Sequence, residues 1–164
     1  MIIFQECAWC SRAVMCVVIA AASAFVLAAD ASDKEEAIKA DRALLAGEWR
    51  VVSVEANGNT NADSEVVRIT VVNRLDGTWS LLSNGNVIAE GTSTIDPTFT
   101  PKTIDFKTTK GNNAGQTAFG IYEMSGKTRK LCIAEQGRPR PADFSATAGS
   151  GRMLVVFERV DATK

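Results

Sequence analysis

The sequence predicts an all-β chain, an eight-stranded antiparallel up-and-down barrel preceded by a short N-terminal helix. Three observations predict it. Short strand-like runs follow one another from Glu48 to the end of the chain. Turn pairs that favour positive φ separate them, among them Asn57-Gly58, Asp76-Gly77, Asn84-Gly85 and Ser125-Gly126. All four prolines, Pro97, Pro101, Pro139 and Pro141, fall between runs, where a missing N–H breaks no ladder. Sequential strands on short turns favour a closed barrel over a sandwich, because closure removes exposed edges.

The chain opens on a targeting segment. Residues 13–29 carry no charge, Arg12 precedes them, and the small residues Ala29 and Ala31 follow. That pattern predicts a secretory signal peptide over 1–31, cut after Ala29 or Ala31, and a protein exported to the periplasm or beyond. The competing reading is a retained membrane anchor, for which the stretch is at the short limit of the roughly 17–25 residues of a span. A helix is expected over 32–46. Its first turn is acidic, Ser32 or Asp33 can cap it, and Gly47 ends it. Ile38, Leu44 and Leu45, with Ala37 and Ala40, give it a weak apolar stripe.

The barrel domain is expected over 47–164, with strands near 48–56, 66–73, 77–83, 86–95, 103–109, 116–124, 129–135 and 152–160. Alternation assigns faces. Val67, Ile69 and Val71 oppose Arg68 and Thr70, and Ile104 and Phe106 oppose Asp105 and Lys107. Met153, Val155 and Phe157 share a face of the last strand. Asp96 is placed to cap the turn before Pro97, and Lys102 to pair with Asp105.

Gly47-Glu48-Trp49 opens the first strand after a short helix, and Arg159 closes the last. This G-x-W start with a terminal arginine resembles the lipocalin pattern. The resemblance implies that Trp49 plugs the barrel base and that Arg159 packs across it as the structural closure. The run Asp96-Pro97, Pro101-Lys102, Ile104-Asp105, Gly120-Ile121-Tyr122, Leu131-Cys132, Arg140-Pro141 and Phe144 resembles a lipocalin-like domain family of planctomycete bacteria. That family has no established activity. Two departures stand out, Ser125-Gly126-Lys127-Thr128 in place of an acidic turn and Lys130 before Leu131.

Composition removes several chemistries. The chain has no histidine, so no Ser-His-Asp or Cys-His unit forms and no histidine metal site exists. No paired-carboxylate spacing points to glycosidase chemistry, so no catalytic residue, metal or cofactor is assigned and the chain is read as a non-enzyme. Removing 1–31 takes Glu6, Arg12 and Asp30 and leaves the charges balanced, which gives no footprint for nucleic acid. Cys7, Cys10 and Cys16 precede the cut. Cys132 is left alone on a strand, as a small buried hydrophobe, the other reading being a reactive thiol near Lys130.

An eight-stranded barrel either holds one small ligand or fills itself with side chains. Trp49, Phe106 and Phe157 would fill the interior, whereas Ala89, Gly91, Ala118 and Gly120 would leave space. Two functions therefore stay open. One is a container for a small apolar or amphipathic ligand, lined by Val67, Ile69, Val71, Ile104, Phe106 and Tyr122, with Arg140 and Phe144 at the mouth as a cationic group and a lid. The other is a filled module that recognises a protein or a surface polymer through its loops.

Overall fold

Two Asn-Gly pairs fix hairpins at one end of the strand set. Asn57 (φ 53°) with Gly58 (φ 76°), and Asn84 (φ 50°) with Gly85 (φ 78°), take the successive positive dihedrals of the turn whose twist matches antiparallel strands. The computed structural model describes residues 31–61 and 68–161. Among these, helix α1 (31–45) precedes nine strands: β1 (Gly47–Ala56), β2 (Asn59–Asn61), β3 (Ile69–Asn73), β4 (Thr78–Ser83), β5 (Asn86–Asp96), β6 (Lys102–Lys110), β7 (Thr117–Ser125), β8 (Thr128–Ala134) and β9 (Arg152–Arg159). Ala37–Lys164 form one compact unit that holds every strand and the last part of α1. The segment read as a signal peptide lies almost wholly in residues 1–30, outside the described residues.

The sheet runs β1-β3-β4-β5-β6-β7-β8-β9, and β9 pairs back onto β1, which closes an eight-stranded antiparallel barrel of lipocalin-like architecture. The ninth strand, β2, is the addition to the expected set. The first half of β1 pairs with β3 and its last three residues pair with β2 along the same edge. Asn59-Thr60-Asn61 is short, polar and exposed throughout, so no alternation announces it.

The start of β1 and the end of β9 fasten α1 onto one end of the barrel. Trp49 is fully buried, and its indole Nε1 donates to the Leu45 carbonyl at 2.8 Å. Arg159 Nη1 donates to the Ala46 carbonyl at 2.8 Å, and Nη2 donates to the Leu44 carbonyl. Carbonyls at a helix C-terminus have no intrahelical partner, and here three in succession are taken by the first and last barrel strands. The β1–β9 register sets Trp49 opposite Arg159, and the guanidinium carbon lies 4.4 Å from the indole centroid. That is well inside the ~6 Å reach of a cation–π contact.

A second set of bonds holds the helix over the base. Asp41 is buried and accepts from Tyr122 Oη at 2.6 Å and from Lys102 Nζ at 2.8 Å on each carboxylate oxygen. Arg42 donates to Ser93 Oγ at 2.7 Å and to the Ser93 carbonyl. These contacts correct two expectations. The barrel-facing stripe of α1 is Ile38, Asp41 and Leu45, while Leu44 is 52% exposed. The stripe reads weakly because a carboxylate stands in its centre. Lys102 pairs with that carboxylate and not with Asp105, which pairs with Arg140 instead. Asp96 does cap its turn, accepting from Thr98 N at 3.1 Å.

Burial, and then the bond to Asp41, raises the Tyr122 pKa far above the ordinary phenol value. Tyr122 is the single tyrosine of the chain, so phenolate ultraviolet absorbance reports this bond alone. In an alkaline titration the folded protein is expected to show no phenolate near pH ~10, where a free phenol ionises. Because the folded pKa is the raised one, the stability that this bond supplies is complete below about pH 10 and is lost as pH rises beyond it. Phenolate should therefore appear only together with unfolding. A reversible phenolate transition near pH ~10 in the folded protein would show that Asp41 does not hold the phenol.

Candidate functional site

Strands of one barrel share an inward face, and register sets which inward side chains are neighbours on adjacent strands. At the α1 end Trp49, Ile104 and Tyr122 belong to one buried cluster with Leu45. One step further in, Val51 pairs with Phe157 and Phe157 with Arg129. Beyond that row the interior is hollow. A cavity of about 560 Å³ runs toward the far end of the barrel, within the roughly 300–1,000 Å³ typical of small-molecule sites. Its walls are apolar, formed by Val54, Ile69, Val71, Leu81, Phe106 and Ile133, among others. Trp79 stands edge-on to Phe106, with ring centroids 6.0 Å apart. Asn113, Gln116, Glu135 and Gln136 give the mouth a polar rim.

The floor carries a charge. Arg129 lines the cavity and is only 3% exposed. Its guanidinium carbon lies 4.2 Å from the Phe157 ring centroid and 5.1 Å from that of Trp49. Among the described residues no carboxylate pairs with it and no acceptor takes its protons, and the buried Nε has no partner. Burial, and then the like charge of Arg159, pushes its pKa down to about 9, so the group is still a cation at neutral pH. Magnitudes decide what this costs. Desolvating an ion takes several kcal/mol, while each ring contact returns about 0.5–2 kcal/mol. Desolvation outweighs the ring contacts. Arg159 rests on the same indole but directs its donors to helix carbonyls, and so it has the partners that Arg129 lacks.

The structure divides the expected lining residues. Ile69, Val71 and Phe106 line the cavity. Val67 lies outside the described residues. Ile104 and Tyr122 face inward but belong to the packed base, where Tyr122 serves Asp41. Alternation gave their face correctly and could not give their depth.

Arg140 and Phe144 are corrected more fully, because neither lines the cavity. Arg140 Nη1 donates to the carbonyls of Ile104 at 3.1 Å and Gly120 at 2.7 Å, Nη2 pairs with Asp105 at 2.5 Å, and the guanidinium stacks on Phe119. Asp105 and Phe119 alternate with inward residues, so these contacts lie on the outer wall. The segment that carries Phe144 continues there, and Cys132 Sγ approaches the Ser145 carbonyl at 3.6 Å. The physical reason is that β7 and β8 are apolar on both faces. Ile121 and Cys132 point outward, and the 135–151 connection buries them instead of capping the mouth. Burial raises the Cys132 thiol pKa, which leaves it a protonated small hydrophobe.

The glycines do not supply the space either. A Cβ on Gly91 would lie 2.2 Å from the Lys107 carbonyl oxygen and 2.5 Å from the Trp79 ring, and one on Gly120 would lie 2.9 Å from the Cys132 carbonyl oxygen. Both serve close backbone approach. Of the four small residues expected to open the interior, Ala118 lines the cavity. The residue that sequence reasoning missed is Arg129. Its signal was present, since Arg129, Leu131 and Ile133 alternate on one face of β8, but Cys132 on the other face made the two look alike.

Comparison with known protein families, with curated proteins and with solved structures found no match to this chain.

Proposed function

We propose that this chain is an exported, non-catalytic binding protein that holds a small apolar or amphipathic ligand inside its barrel. The observation that carries this reading is the apolar cavity of about 560 Å³ above a packed base. A barrel that served only as a scaffold for loops would gain stability by filling that space, since each lost methylene contact costs packing energy. The lack of histidine and of any assigned nucleophile–base pair favours binding over catalysis. Membership of the planctomycete lipocalin-like family remains part of this proposal and rests on the motif order from Trp49 to Arg159. The alternative, recognition of a protein or polymer through the loops, is favoured by one feature, the exposed Val87 and Ile88 beside the β4–β5 turn.

The neutral probe N-phenyl-1-naphthylamine tests the container. It is expected to bind saturably with a fluorescence rise, and Ala118→Trp, which puts an indole into the cavity, should weaken binding by about tenfold or more. No saturable binding, or equal binding by a folded Ala118→Trp protein, would contradict the reading.

Export is proposed from the uncharged stretch 13–29 and the small residues after it. N-terminal sequencing of the protein recovered from its native cells should find a chain beginning at Asp30 or Ser32. A chain still beginning at Met1 would favour the anchor.

A further inference from the structure

The proposed container leaves one feature unexplained, the cation on its floor. Buried charges in proteins are nearly always paired, because an unpaired ion in an apolar setting is costly. Arg129 is buried, its guanidinium reaches the cavity, and no acceptor among the described residues takes its protons. Its neighbours orient it without neutralising it. The guanidinium carbon lies over the Phe157 and Trp49 rings, and a π face accepts none of its N–H protons in a conventional hydrogen bond, so the donors remain for a partner. A guanidinium presents those donors as a fork that matches a carboxylate.

The rest of the cavity fits one kind of molecule. Its walls are mainly apolar, and its polar groups are gathered at the rim and at the Arg129 floor, with Thr108 and Thr117 between. An anionic head would be attracted to the cation on the floor, so the molecule would seat its head there and leave its tail in the apolar tube. We infer that the ligand is an amphipathic monoanion, a carboxylate on an apolar body, whose head group pairs with Arg129 at the bottom of the barrel. This inference rests on the container reading and adds the chemical class of the ligand.

Isothermal titration of the purified protein with decanoate and with decan-1-ol, both below their aggregation limits, separates the two claims. The tails are matched and the heads differ in charge. The wild-type protein is expected to bind decanoate about ten- to a hundredfold more tightly than decan-1-ol, the range for a hydrogen bond to a charged group. Arg129→Met keeps apolar volume and removes the charge. It should lose the preference for decanoate over decan-1-ol, with the ratio of the two affinities falling to within a few-fold of one. Equal affinities for the two ligands in the wild-type protein would overturn the inference and leave the container standing. Binding of neither would overturn both. The wild-type comparison decides the matter even where the Arg129→Met protein fails to fold. As a second measurement on the wild type, decyltrimethylammonium should bind more weakly than decan-1-ol, and tighter binding of that cation would also overturn the inference.

Discussion

Closure of this barrel and the docking of its helix meet at one indole. Trp49 donates to α1, packs under Leu45 and carries two guanidinium groups, those of Arg129 and Arg159. The first strand and the last meet at this ring, so barrel closure, helix docking and the depth of the floor are set by the same contact. The two arginines are chemically alike and differently placed. Arg159 sits at the end of β9, where helix carbonyls need donors. Arg129 sits one row deeper, where there are none.

The charged groups of the base are paired: Asp41 has Tyr122 and Lys102, Arg42 has Ser93, and the helix carbonyls have Trp49 and Arg159. The outer wall of β7 and β8 is covered by the 135–151 connection, which is tied down by Arg140. Against this background of paired charges, the cavity and the cation that lines it are exceptions at the same place among the described residues. Stability alone would favour a filled interior and a neutral floor. Both departures follow if the interior is shaped for a partner that brings apolar bulk and a negative charge.

Much of the architecture was legible in the sequence because strand signals are local. Asn57-Gly58 and Asn84-Gly85 announced their hairpins, and the alternation at Ile69–Val71 and Ile104–Phe106 gave the inward faces. Strand β2 escaped, since it is three exposed polar residues. The site was less legible for reasons that follow from the geometry. Period-two alternation fixes a face but not a depth, so Tyr122 and Ile104 were read as lining when they belong to the base. Strands apolar on both sides hide which face is inward, so Arg140 and Phe144 were drawn to the mouth when the outer wall needed them. The inward face of Arg129 was legible in β8, but its meaning lies in absent partners, and a sequence records no absences of that kind.

In the proposed container, Arg129 is kept for a ligand at the expense of the fold, while Arg159 is kept for the fold. Chemical denaturation of Arg129→Met and Arg159→Met, each compared with the wild type without ligand, tests it most directly. Removing Arg159 strands helix carbonyls and should lower stability by about 2–3 kcal/mol. Removing Arg129 relieves a buried, unpaired charge and should raise stability by about 1–4 kcal/mol. Opposite signs at two arginines on one ring are the predicted result. A loss of stability of similar size at both would contradict it, and would make Arg129 a part of the base like its neighbour.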